Sequence, residues 1–115
     1  MVKIVEKSRG EVTICMIEGK LSGFEGKGVI QEKIRELMDR DANKIVLDLS
    51  KVNWIDSTGL GELIASLRSI SKKDGGNMVL SNLQTPVQSL LKMTNLTEIF
   101  DVYETFDDAI KAFEE

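Results

Sequence analysis

The residues of this chain whose types and spacing could do chemistry lie in one short stretch. An acidic residue is followed by two hydroxyl side chains and then by glycines, in the order Asp56-Ser57-Thr58-Gly59-Leu60-Gly61. A serine hydroxyl at a helix start can carry a phosphate, because free backbone N–H groups and the positive end of the helix dipole favour negative charge there. A phosphate would add about 1.5 to 2 negative charges, which is enough to change what the surface binds.

The flanking sequence predicts that this stretch is a corner between a strand and a helix. Residues 44–49 are apolar and rich in β-branched side chains, as is typical of a strand buried on both faces. Apolar residues then recur at steps of three and four, which predicts a helix over 58–73. Either Asp56 or Ser57 can be the N-cap of that helix. If Asp56 is the cap, the Ser57 hydroxyl is free to face solvent, whereas Thr58 is expected to bond local backbone groups.

The two glycines need a separate explanation, because glycine costs about 1 kcal/mol relative to alanine in a helix interior. Gly59 and Gly61 either allow the helix to pack closely against the sheet or leave bare backbone for a partner protein or a phosphate. The sequence leaves both explanations open. Trp54 likewise either packs beneath the loop or anchors a partner. The candidate partner-binding surface consists of Trp54, Asp56, Ser57, Thr58, Gly59 and Gly61.

The rest of the chain alternates between strand-like and helix-like patterns. Strands are predicted at residues 2–7, 11–18, 44–49, 78–81 and 101–103, with a hairpin loop at 8–10. Helices are predicted over about 29–38, over 58–73, from 85 onward and over 106–113. This order predicts an α/β fold with a mixed, largely parallel sheet of about five strands, opened by an antiparallel hairpin, and about four helices. Residues 1–115 are expected to form a single domain.

Composition argues against several classes of function. The net charge is −4 and no basic cluster occurs, so nucleic acid is not an expected partner. No apolar run is long enough to cross a bilayer or to form a signal peptide, so we expect a cytoplasmic protein that does not bind membranes. The chain has no histidine, which excludes Ser–His and Cys–His catalysis and histidine-ligated metals. We therefore expect no enzymatic activity, no catalytic residue, no cofactor and no metal. The single cysteine, Cys15, is expected to be a packed side chain.

Because of the stretch from Asp56 to Gly61 and the order of strands and helices around it, the chain resembles the STAS-domain anti-sigma factor antagonists. The stretch from Asp56 to Gly61 resembles their phosphorylation motif, and the order of elements matches from about residue 3 to 113. The resemblance implies that Ser57 is the phosphoacceptor. It also implies partner switching, in which the unmodified protein binds an anti-sigma factor that is a serine kinase and thereby frees the sigma factor. Phosphorylation by that kinase from ATP separates the two, and a metal-dependent serine phosphatase of the same pathway reverses the modification.

One segment departs from the family pattern. The family often carries an acidic residue shortly after the second strand, where this chain has Ser22 within the glycine-rich stretch 19–28. Glu25 is the nearby acidic residue that could take its place. The stretch lacks the spacing of a nucleotide-binding P-loop, so we expect a flexible surface loop rather than a phosphate cradle.

Other functions fit the sequence less well. A receiver domain phosphorylated on aspartate needs an acidic pair after its first strand to hold Mg²⁺, and residues 2–7 are not followed by one. A STAS-like scaffold that is not phosphorylated, within a larger regulatory or lipid-transport complex, remains the alternative. An enzyme comes last, because no nucleophile with an activating base can be named.

Overall fold

The computed structural model describes residues 2–114, and their elements follow the hydrophobic patterns closely. Within this range the strands are β1 (Lys3–Arg9), β2 (Val12–Glu18), β3 (Lys44–Lys51), β4 (Asn77–Ser81) and β5 (Val102–Tyr103). The α-helices of the same range are α1 (Val29–Asp39), α2 (Ser57–Ser71), α3 (Thr85–Met93) and α4 (Phe106–Glu114). A short 3₁₀ turn, Leu96–Glu98, separates α3 from β5. The predicted α/β fold is confirmed.

The strands of residues 2–114 form one five-stranded sheet in the order β1-β2-β3-β4-β5. β1 runs antiparallel to β2, and the remaining neighbours are parallel. The opening hairpin is tighter than predicted: residues 8 and 9, assigned to a loop, continue β1 and pair with β2. The turn therefore consists of Gly10 and Glu11, and Gly10 adopts the positive φ of 60° that a two-residue turn places on glycine.

Helices cover both faces of the sheet, which explains why the central residues of β2, β3 and β4 are mostly apolar. Alternate residues of these strands pack with α1, α2 and α3 on one face and with α4 on the other. Cys15 lies in the larger of the two clusters and is fully buried, as expected for a packed side chain. Burial raises the pKa of its thiol to about 12, so a thiolate does not form at neutral pH.

No helix in the described part of the chain combines the length and the hydropathy needed to cross a bilayer.

Candidate functional site

The Asp56 side chain joins two segments at the start of α2. It is the N-cap of the helix, and its Oδ1 atom accepts a hydrogen bond of 3.0 Å from the N–H of Gly59. Its Oδ2 atom accepts a second bond of 3.0 Å from the N–H of Gly23, in the loop that follows β2. Hydrogen bonds to the charged form hold the pKa of the Asp56 carboxyl below its usual range, the Gly59 N–H being the larger cause and the Gly23 N–H the next.

The backbone of the same loop runs alongside the segment that leads into α2. The Leu21 N–H donates to the Trp54 carbonyl at 3.0 Å, and the Asp56 N–H donates to the Leu21 carbonyl at 3.1 Å. Leu21 and Ile55 thus form a parallel bridge that extends the pairing of β2 with β3. The expectation of a flexible surface loop is wrong for this part of 19–28, because Leu21 and Ser22 are buried and the backbone is fixed to the corner.

Ser57 and Thr58 are the first two residues of α2, and both are exposed. Because Asp56 is the cap, the Ser57 hydroxyl is not needed for capping, and no group within residues 2–114 forms a hydrogen bond with it. The Thr58 hydroxyl was expected to bond local backbone, and that prediction is wrong. It makes no such bond in the described range and instead faces the loop, where a Cβ atom on Gly23 would lie 3.3 Å from it.

The two glycines of the motif have different surroundings in the structure. Gly59 is buried, and a Cβ atom there would overlap the Leu21 carbonyl oxygen and lie 3.0 Å from Cγ2 of Ile55. Gly61 is exposed, and a Cβ atom there would meet nothing within 4 Å. Close packing therefore explains Gly59, whereas it is the wrong explanation for Gly61.

Two exposed aromatic side chains lie on the joined segments. Trp54 is 55% exposed, so the alternative that it packs beneath the loop is wrong. Phe24, which sequence reasoning did not identify, is fully exposed and follows the Gly23 amide that binds Asp56. Its position in a glycine-rich stretch without periodicity gives no sequence signal. Large exposed aromatics beside a binding corner are the residue type that anchors protein interfaces.

Ser22 forms the turn of the loop in place of the acidic residue of the family pattern. Its Oγ atom accepts hydrogen bonds from the N–H groups of Phe24, at 3.2 Å, and Glu25, at 3.0 Å. Its own N–H donates to the Glu25 carbonyl at 3.1 Å. A short side chain with an acceptor oxygen is what this kind of turn needs, so serine supplies the geometry without the negative charge.

Glu62 is a buried acid that the sequence analysis missed. Its side chain is 8% exposed, and its Oε2 atom accepts a 2.8 Å hydrogen bond from the Gly28 N–H at the start of α1. Its Oε1 atom is buried without a hydrogen-bond partner. The sequence did contain a signal for it, because Glu62 is a charged residue within the buried stripe of α2. Within the described residues, no group of three or more potential ligands is placed to hold a metal ion.

The sheet order matches a known class of domain. A sequence model of the STAS domain matches residues 3–109, and the chain belongs to the STAS-domain anti-sigma factor antagonist family. One relative, the anti-sigma F factor antagonist of Paenibacillus polymyxa, is 30% identical over 110 residues, which make up 96% of this chain and 92% of that protein.

Solved structures agree with this assignment. The crystal structure of a Thermotoga maritima protein superposes with a TM-score of 0.89 at 30% identity, covering 97% of this chain and 95% of that one. SpoIIAA of Bacillus in its phosphorylated form superposes with a TM-score of 0.69 at 15% identity, covering 96% of this chain and 99% of that one. At that identity, the second likeness concerns the fold alone.

We predict opposite stability changes for alanine at the two glycines. Gly59→Ala should lower the free energy of unfolding by about 1 to 3 kcal/mol, because the methyl group has no room beneath Leu21. Gly61→Ala should raise it by up to about 1 kcal/mol, because the methyl group points into open space and alanine favours the helix. Urea unfolding of the two variants measures both. Destabilisation by Gly61→Ala would show that the site is packed after all.

We predict that Asp56→Ala destabilises the protein in a pH-dependent way. The carboxyl pKa is lowered below its ordinary value of 3.8 in the folded state, so the stabilisation is complete above that value and is lost as the pH falls through the lower folded pKa. The stability difference between wild type and variant should therefore be largest at neutral pH and narrow below about pH 3.8. Denaturant unfolding at a series of pH values measures it. Ser57→Ala, which removes no titrating group, is the control, and an equally pH-dependent difference there would rule out Asp56 as the cause.

Proposed function

We propose that this chain is an anti-sigma factor antagonist that works by partner switching at Ser57. The unphosphorylated form binds an anti-sigma factor that is also a serine kinase, and the sigma factor is released. The kinase then transfers the γ-phosphate of ATP to Ser57, which separates the complex, and a serine phosphatase of the same pathway restores the hydroxyl. The observation that carries the proposal is the exposed hydroxyl of Ser57 at the first turn of α2, with Asp56 serving as the cap.

The electrostatics of the corner support a switch of this kind. A phosphate on Ser57 would add about 1.5 to 2 negative charges beside the Asp56 carboxylate, which is already charged at neutral pH. The dipole of α2 favours negative charge at its start, so the modified chain should stay folded. A partner that covers this corner would have to desolvate the added charge, which weakens the complex. SpoIIAA, which has the same fold, is known in a phosphorylated form.

The surface around Ser57 supports binding rather than catalysis by this chain. Trp54 and Phe24 are exposed on the two segments that Asp56 joins, and they provide apolar anchors beside the hydroxyl. Thr58 and Gly61 continue this surface along α2, whereas the buried Gly59 serves packing. Since anti-sigma factors act on the transcription machinery, the proposal places the protein in the cytoplasm.

We predict that Ser57, and not Thr58, receives the phosphate. The purified chain is incubated with Mg–ATP and the anti-sigma factor kinase of its source organism, and the product is analysed by intact mass and fragmentation. One phosphate should appear on Ser57, because its hydroxyl faces solvent whereas that of Thr58 faces the loop. Thr58→Ala should still be modified and Ser57→Ala should not. Modification of Thr58 alone would overturn the choice of residue and leave the switch in place.

We predict that Ser57→Asp binds the anti-sigma factor kinase about tenfold or more weakly than the unphosphorylated wild type does. The substitution should leave the fold intact. A carboxylate at a helix start is favoured by about 0.3 to 1 kcal/mol, so the melting temperature should hold or rise slightly. Desolvating the new charge in the interface causes the loss of affinity. Isothermal titration calorimetry measures it, with the uncharged Ser57→Asn as the matched control. If the wild-type chain binds a partner but no kinase phosphorylates it, the alternative of a scaffold that is not phosphorylated is favoured.

A further inference from the structure

A groove opens between the start of α1 and the first turns of α2, next to the proposed phosphorylation site. It has a volume of about 360 Å³ and is lined by Lys27, Gly28, Gln31, Thr58, Gly61 and Glu62. Thr58 is the neighbour of Ser57, so a partner that covers the serine also lies over the mouth of this groove. Gly61 lies on the wall of the groove, and the space beside it is open, since a Cβ atom there would meet no other atom within 4 Å.

The Glu62 carboxylate in this groove has one satisfied oxygen and one unsatisfied oxygen. Oε2 accepts the Gly28 N–H at 2.8 Å, whereas Oε1 is buried and has no hydrogen-bond partner within the described residues. A buried carboxylate oxygen without a donor is costly, because it has lost water without gaining a replacement. Glu62 also lines the groove, so a small turn of its side chain would bring the carboxylate to a hydrogen-bond donor placed there, and a cationic donor would stabilise it most.

The described part of the chain does not supply that donor itself. Lys27 also lines the groove, but it is exposed and forms no ion pair with Glu62. Gln31 likewise lines the groove without a hydrogen bond to the acid. Among the described residues Oε1 thus has no donor, which leaves this contact open to a partner.

We propose that the groove between α1 and α2 receives a lysine or arginine side chain of the anti-sigma factor kinase, towards which the Glu62 side chain turns so that its Oε1 atom accepts a hydrogen bond. This inference rests on the proposed function, because it assigns a contact to the partner that binds at Ser57. A cationic side chain complements the unpartnered carboxylate, and the groove of about 360 Å³ has room for it. It gives the interface a fixed polar contact beside the exposed aromatic residues.

The decisive variant is Glu62→Gln, measured by isothermal titration calorimetry against the purified kinase of the source organism. Glutamine keeps an acceptor oxygen for the Gly28 N–H and replaces the other oxygen by an NH₂ group, which repels a donor. We expect affinity to fall by about tenfold or more. We expect the thermal unfolding of the variant to stay close to that of the wild type.

A second pair of variants keeps the test decisive if Glu62→Gln disturbs the fold. Gln31→Lys, at an exposed position of α1 that lines the groove, supplies an internal cation that competes for Glu62 and should also weaken binding. Gln88→Lys makes the same change at an exposed position of α3, outside the groove, and should leave affinity unchanged.

The outcomes separate this inference from the proposed function. Wild-type affinity in a folded Glu62→Gln, or in Gln31→Lys, overturns the groove contact, and Ser57→Asp still reports on the switch. Equal loss of affinity in Gln31→Lys and Gln88→Lys would assign the effect to overall charge and would also overturn the contact. Failure of the wild-type chain to bind the kinase overturns both.

Discussion

The corner between β3 and α2 depends on Asp56, because the two oxygens of its carboxylate bind two different segments of the chain. One oxygen caps α2 through the Gly59 N–H, and the other holds the loop after β2 through the Gly23 N–H. The first contact releases Ser57 from capping, and the second keeps the loop beside it. A single carboxylate thus sets both the exposure of the serine and the shape of the surface around it.

The sheet gives this arrangement a fixed support. β3 is packed by helices on both faces and delivers the chain to the corner, and the bridge between Leu21 and Ile55 carries the β2–β3 pairing past the ends of the strands. Gly59 completes the contact, because only a residue without a side chain lets α2 start directly beneath Leu21. The exposed serine is therefore supported by closely packed backbone as well as by the Asp56 side chain.

The features that the sequence predicts are those that local interactions decide. Hydrophobic periodicity located the helices and strands, and capping preferences placed the start of α2 at Asp56 or Ser57 without deciding which of the two is the cap. Contacts between segments that are distant in the sequence could not be predicted. Gly59 and Gly61 have the same local surroundings, and only the approach of Leu21 distinguishes them. Glu62 could be flagged as a charge on a buried stripe, but its partner at Gly28 lies on another helix.

The loop after β2 is tied to the corner through main-chain groups, namely the amides of Leu21 and Gly23 and the Leu21 carbonyl. Main-chain groups are common to nearly all residue types, so these contacts do not themselves require particular side chains, although the Ser22 Oγ atom shapes the turn of the loop. Phe24 points entirely into solvent and contributes nothing to that attachment. A substitution of Phe24 would therefore change the apolar surface beside Ser57 without loosening the loop.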